Sequence, residues 1–123
     1  MKAVPHISAA EWEVMKVVWR HRSCSAQQVI DALASSSEWS PATVKTLLNR
    51  LLRKGALVFR KNGKAYLYSA ARTEEQCRKV EAESFLDRVF DGAVSPMLAH
   101  FVRSRRLSAA DLHELERILK EHK

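Results

Sequence analysis

Apolar residues recur at helical spacing along the first third of the chain, and each run opens on a capping residue. Trp12, Met15, Val18 and Trp19 lie on one stripe, and Ser8 with Glu11 forms a capping box ahead of it. This predicts a first helix over residues 8–22. A second helix opens at Ser25 with Gln28 as its box partner, carries Val29, Ile30 and Leu33, and ends in the run Ser35-Ser36-Ser37. The third has the best-defined ends. Ser40 is the expected N-cap, Pro41 stands at the first helical position, where its missing N–H costs nothing, and Gly55 lies just past the end. Val44, Leu47, Leu48, Leu51 and Leu52 form its inward stripe. Thr43, Thr46, Asn49, Arg50 and Arg53 fall on the other side, with Lys45 nearby.

The pattern then changes period. Leu57 to Arg60 and Ala65 to Tyr68 read as two strands, with Asn62-Gly63 expected to supply the positive φ values of a type I′ turn between Lys61 and Lys64. Helical spacing returns at Thr73 and Gln76, which open a fourth helix running to about Phe90 with Val80, Phe85, Leu86, Val89 and Phe90. Asp91-Gly92 breaks it. Ser95-Pro96 is expected to open a fifth helix with Met97, Leu98, Phe101 and Val102. Ser108 with Asp111 opens a sixth with Leu112, Leu115, Ile118 and Leu119. The expected fold is mainly α: a winged helix-turn-helix domain over residues 1–71 with a small β-hairpin wing, then a helical dimerisation region over 72–123.

Charge adds a function class to this picture. Residues 1–70 hold eleven basic and four acidic side chains, whereas residues 71–123 hold ten of each. The whole excess therefore sits on the N-terminal half, which is the mark of a half that meets a polyanion. Between Lys45 and Lys64 stand seven Lys or Arg residues and no Asp or Glu. A basic helix followed by a basic hairpin suits the major groove of double-stranded DNA and its phosphates. Threonine methyls can meet the thymine methyl, and Lys or Arg can bond guanine O6 and N7. Arg53, Lys54, Lys61 and Lys64 are expected to hold phosphates and set register.

The C-terminal half has no net charge and many large apolar groups. Three short amphipathic helices bury such faces poorly alone. A second copy of the chain would cover them, and a two-fold dimer suits paired half-sites. Phe85, Leu86, Val89, Leu98, Phe101, Val102, Leu112, Leu115, Ile118 and Leu119 are the expected dimerisation residues. The alternative is that these helices fold back on their own N-terminal domain.

Little else in the chain carries chemistry. Cys24 and Cys77 lie apart, with no C-x-x-C or Cys/His cluster, and read as reduced buried thiols; a redox or metal role is the other reading. Trp12 and Trp19 share the buried stripe and read as core rather than as stacking platforms for single-stranded nucleic acid. Trp39, just before the third helix, reads as a hydrophobic staple. His6, His21, His100, His113 and His122 are dispersed and form no triad, and there is no Gly-rich phosphate loop. No catalytic residue, metal site or cofactor is expected. No apolar run approaches the ~18 residues of a membrane span, and no signal peptide is evident, so the expected place is the cytoplasm without membrane insertion.

Several strings are recognisable together: Ile7-Ser8-Ala9-Ala10-Glu11-Trp12-Glu13-Val14-Met15, then Trp39-Ser40-Pro41-Ala42-Thr43-Val44-Lys45-Thr46-Leu47-Leu48-Asn49-Arg50-Leu51, then Lys54-Gly55-Ala56-Leu57, Tyr66-Leu67-Tyr68 and Ser84-Phe85-Leu86. In these the chain resembles the BlaI/MecI/CopY family of bacterial repressors over nearly its whole length. The resemblance implies a dimeric winged-helix repressor on pseudo-palindromic operators, often with TACA and TGTA half-sites. It implies base reading by Thr43, Lys45 and Thr46, with Ser40, Ala42 and Arg50 against the backbone. For the β-lactam branch it implies release when a membrane sensor protease causes, indirectly, cleavage at an Asn-Phe bond in the C-terminal helices. This chain has His100-Phe101 at that place, a departure from the pattern. The copper branch carries a C-x-C pattern near the C-terminus, whereas this chain ends Leu119-Lys120-Glu121-His122-Lys123.

Two functions of different class follow. One is a sequence-specific repressor of β-lactam-resistance or related stress genes. The other is a winged-helix adaptor for proteins that reads no sequence.

Overall fold

The computed structural model describes residues 3–122. In chain order they form α1 (Ala9–His21), β1 (Ser23–Cys24), α2 (Ala26–Ala34), α3 (Pro41–Lys54), β2 (Leu57–Asn62), β3 (Ala65–Ala70), α4 (Glu74–Phe90), α5 (Val94–Arg103) and α6 (Ala109–Glu121). Compact packing divides the chain into two units, one ending at Glu81 and one beginning at Ala82. The sequence boundary at 71/72 marks the change of charge and pattern. The first unit runs on into α4 because Cys77 is 2% exposed and packs in its core.

The first unit is built from local signals that the backbone obeys. The Glu11 N–H donates to Ser8 Oγ at 3.2 Å and the Ser8 N–H donates to Glu11 Oε1 at 2.8 Å. Ser25 and Gln28 repeat this reciprocal pairing at 3.2 and 2.7 Å. Each box satisfies two amides that a helix start leaves without partners. At α3 the Thr43 N–H donates to Ser40 Oγ at 3.2 Å, and Pro41 fills the first helical position. The helix stops at Gly55, whose φ of 82° is open to glycine at little cost. There the Gly55 N–H reaches Leu52 O at 3.1 Å and the Ala56 N–H reaches Leu51 O at 3.0 Å, the Schellman arrangement.

These helices close over one core. Val14, Met15, Val17 and Val18 of α1 meet Val29 and Leu33 of α2, Val44, Leu47, Leu48 and Leu51 of α3, and Leu57 and Tyr68 of the sheet. The buried face of α1 is wider than the sequence stripe. Val14 and Val17 are inside it, while Trp12 and Trp19 lie half-buried against it with ring centroids 5.3 Å apart. Trp19 Nε1 donates to Arg72 O at 2.9 Å. Trp39 is half-buried and packs on the same core. Burial pushes both thiols, Cys24 and Cys77, up from their ordinary range, with Arg72 partly opposing the shift at Cys77.

The sheet is antiparallel, in the order β1-β3-β2. The sequence does not announce β1, because two residues show no periodicity. It is defined by its partner alone, with Ser23 opposite Ser69 and Cys24 opposite Tyr68. The hairpin corrects the expected turn. Asn62 pairs with Ala65, so the loop is Gly63-Lys64, and Gly63 has a φ of 67° whereas Asn62 is not among the positive-φ residues. A positive φ at the first loop position only is the type II′ pattern, which takes Gly there and leaves Asn62 as a strand residue.

The second unit comprises the rest of α4 with α5 and α6. Thr73 and Gln76 cap the start of α4 reciprocally at 2.9 and 3.1 Å. Asp91 and Gly92, with φ of 51° and 80°, separate α4 from α5. The expected opening at Ser95-Pro96 is corrected: α5 begins at Val94, and its N-cap Ala93 makes no side-chain cap bond. Pro96 is accommodated in the first turn, where an N–H would have no helical partner. Ser108 and Asp111 cap α6 at 3.0 Å in both directions. Neither α5 nor α6 has a buried residue. Among the described residues, no helix is long and apolar enough to cross a membrane.

Candidate nucleic-acid interface

The inward stripe of α3 fixes which side chains the helix shows to solvent. With Val44, Leu47, Leu48 and Leu51 in the core, Thr43, Lys45, Thr46, Asn49, Arg50 and Arg53 are exposed together on the outer face. Two hydroxyls on this face already have partners. Ser40 Oγ caps the helix and lies 3.1 Å from Thr43 Oγ1. Thr46 Oγ1 donates to Ala42 O at 3.0 Å. That bond uses the only proton of the Thr46 hydroxyl and leaves its methyl and its acceptor lone pairs for a partner, a set suited to the thymine methyl.

Lys45 stands at the wall of a cleft of about 280 Å³, which is also lined by Ser25, Ala26, Gln27 and Ile30 of the α2 start and by Ala65, Tyr66 and Tyr68 of β3. A smaller cavity of about 180 Å³ shares both tyrosines and is also lined by Asn49, Leu52 and Phe59. The wing is thus braced against α3. Phe59 and Tyr66 meet edge to face, with centroids 4.9 Å apart, and Lys61 Nζ lies 5.8 Å from the centre of the Tyr66 ring. Lys61 and Tyr66 are directly opposite one another in the hairpin register. Lys64 is exposed in the loop itself.

Lys54 is a correction. It was expected on phosphates, but its Nζ pairs with Glu11 Oε1 and donates to His6 O at 3.0 Å. Glu11 is 1% exposed. Burial alone would raise its carboxyl pKa, but the bonds from Lys54 and from the Ser8 backbone and hydroxyl outweigh burial and hold it below the usual range. The capping box of α1 and the end of α3 are thereby joined by one ion pair, in which the Lys54 side chain stays 34% exposed. The reason was invisible locally, since the two residues lie 43 positions apart. Lys45, Arg50, Arg53, Arg60, Lys61 and Lys64, by contrast, have no carboxylate partner among the described residues.

In the second unit the expected dimerisation residues form two groups. Phe85, Leu86, Phe101 and Leu115 are half-buried, whereas Val89, Leu98, Val102, Leu112, Ile118 and Leu119 are exposed, Leu119 to 65%. The His100–Phe101 bond lies inside α5, and the His100 ring contacts Phe90 and Phe101 with centroids 6.3 and 5.5 Å away.

Residues 7–121 match the family model described as penicillinase repressor. The chain belongs to the penicillinase repressor family. It is 42% identical to the penicillinase repressor of Bacillus licheniformis over 123 residues, covering 100% of this chain and 96% of that one. It is 33% identical to the methicillin resistance regulatory protein MecI of Staphylococcus aureus over 113 residues, 92% of each chain. Among solved structures it is similar to monomeric BlaI of B. licheniformis in complex with the blaP half-operator, with 46% identity and a TM-score of 0.54 over 62% of this chain and 93% of that one. The fold of this penicillinase repressor family member is a winged helix: α2 and α3 are the helix-turn-helix and β2–β3 the wing.

Tyr66 lines the cleft beside Lys45 without standing out in the local sequence pattern. The available signal was the hairpin register, because a two-residue loop at Gly63-Lys64 places Tyr66 across from Lys61.

Proposed function

We propose that this chain is a sequence-specific DNA-binding transcriptional repressor that acts as a homodimer on pseudo-palindromic operators of β-lactam-resistance or related stress genes. The observation that carries this reading is the exposed face of α3, which has no acid and leads directly into a basic wing, on a chain of the penicillinase repressor family. Thr43, Lys45 and Thr46 read base edges. Ser40, Ala42, Arg50, Arg53, Lys61 and Lys64 lie along the phosphates and set the register of α3 in the groove. Lys54 drops out of that set and holds α3 to α1 instead.

The apolar surfaces of α5 and α6 support a dimer. A second copy covers them and places two α3 helices on two half-sites. Affinity for the full operator then depends on the second unit without any DNA contact there, through the second half-site. Cutting at His100–Phe101 relieves repression by removing α6 and the end of α5; because the bond is helical, the cut requires α5 to unwind first. The protein acts in the cytoplasm, uses no cofactor and is not an enzyme.

The test is a gel-shift titration on a duplex carrying a TACA/TGTA pseudo-palindrome, at two salt concentrations with excess random competitor. A complex at least ~10³-fold tighter than on random DNA, and steeply weakened by salt, is expected. Equal, weak binding to both duplexes is the result of a protein adaptor and would refute the reading.

A further inference from the structure

Apart from Lys45 itself, to which base reading is given above, the residues of the cleft beside Lys45 have no role so far, yet the lining has a definite chemistry. It lies between the start of α2, the exposed face of α3 and the loop-side half of β3, and no carboxylate lines it. Two of its donors stand on exposed residues and have no hydrogen-bond or ion-pair partner among the described residues. One is the Lys45 ammonium, which has no ion-pair partner among the described residues. The other is the Tyr66 phenol, for which no hydrogen bond is formed among the described residues. Gln27 contributes less, because its Nε2 already donates to Asp31 Oδ1 at 2.8 Å.

Tyr66 is also held in place although it is 45% exposed. Phe59 and the Tyr66 ring meet edge to face with centroids 4.9 Å apart, and Lys61 Nζ sits 5.8 Å from the centre of that ring. A phenol fixed by its ring loses little conformational freedom when its hydroxyl takes a partner. It stands where two lysines, Lys45 and Lys61, raise the local positive potential, so the partner these groups suit is an anion that accepts hydrogen bonds. When α3 lies in a major groove, one of the two phosphate strands walling that groove runs beside its outer face, where Lys45 and the cleft are.

We infer that Tyr66 is a further DNA-contacting residue, whose hydroxyl donates to one backbone phosphate seated in the cleft beside Lys45, with Phe59 and Lys61 positioning its ring. The inference rests on the DNA-binding reading above and deepens it. Two corollaries follow. Tyr66 contributes affinity without sequence preference, since a phosphate is the same at every step. Its contribution differs from that of a lysine, because a neutral hydroxyl displaces no counterion and leaves the salt slope unchanged.

The experiment is a fluorescence-anisotropy titration of the full chain and of Tyr66→Phe on two duplexes, one with the TACA/TGTA pseudo-palindrome and one shuffled. Tyr66→Phe keeps the ring and its packing, so the fold is retained, and near-ultraviolet circular dichroism checks this. Expected is a loss of about tenfold on both duplexes, as for a hydrogen bond to a charged group, with an unaltered slope of log affinity against log salt. A set of duplexes, each bearing one neutral methylphosphonate, then locates the contact: at one position the difference between the wild type and Tyr66→Phe disappears. Affinity within twofold of the wild type on both duplexes overturns the assignment, provided Arg50→Ala is weakened in the same assay. A loss that persists at every methylphosphonate position, or one confined to the palindrome, overturns it too. A wild-type chain that binds neither duplex refutes the repressor reading and this contact together.

Discussion

The two units of this chain are built on opposite plans. Up to Glu81, three helices, the start of α4 and a small sheet enclose a core in which Val14, Met15, Val18, Val29, Leu48 and Leu51 are fully out of water. From Ala82 onward α5 and α6 bury nothing completely, and Val89, Val102 and Leu119 are about half exposed or more. The difference separates two uses of apolar surface. In the first unit it is consumed in holding α3 and the wing, and function is left to an exposed polar face. In the second it stays available, and in the proposed homodimer a second copy would gain there the burial that the single chain lacks.

The sharpest way to break that comparison is to remove core from the first unit. Leu48→Ala is expected to cost about 2–5 kcal/mol, read as a lower urea midpoint that does not depend on protein concentration. A midpoint that moves with concentration would place Leu48 in an association instead. Lys54→Met comes next. It strands the buried Glu11 carboxylate and should destabilise the first unit by about 3 kcal/mol. The wild type carries a pH signature of the same pair. Glu11 has a depressed folded pKa, so its stabilisation is present above the unfolded carboxyl value and is lost as pH falls through the folded one. Stability should therefore fall below the ordinary carboxylate range, and less so in Lys54→Met.

In the second unit the expected signature reverses. Phe101→Asp should leave the urea midpoint of the first unit in place but raise the dimer dissociation constant at least tenfold in sedimentation equilibrium, and weaken full-operator binding with it. An unchanged dimer constant takes Phe101 out of the interface. The smallest effects sharpen the polar face. Lys45→Ala should cost about 1–3 kcal/mol on the operator and much less on random DNA. Lys64→Ala should cost under about 1 kcal/mol on both and flatten the salt slope by about one unit. Equal losses for the two variants on both duplexes would erase the distinction between base and backbone contacts.

Legibility in the sequence followed the range of the interactions. Capping boxes act across three residues, so Ser8, Ser25, Thr73 and Ser108 could be found by eye, and the structure forms each of their bonds. The ends of α3 and its two faces were legible for the same reason, because a period and a Gly at the stop are local facts. Tyr66 was harder, since its place depends on register, and register depends on whether the loop is Asn62-Gly63 or Gly63-Lys64. Moving the two-residue loop by one position shifts every pairing by two residues, so that Lys61 rather than Phe59 stands opposite Tyr66.

By itself, then, the sequence determined where α1, α2, α3, α4 and α6 begin, which face of α3 is polar, and that the positive charge is concentrated in the first half. These are properties of neighbouring residues and of sums. Only the tertiary structure decided that Lys54 pairs with Glu11, that Ser23–Cys24 is a strand, and that Tyr66 stands beside Lys45. Each of these needs two segments far apart in the chain to arrive at one place, and packing of the common core, not any local preference, brings them there.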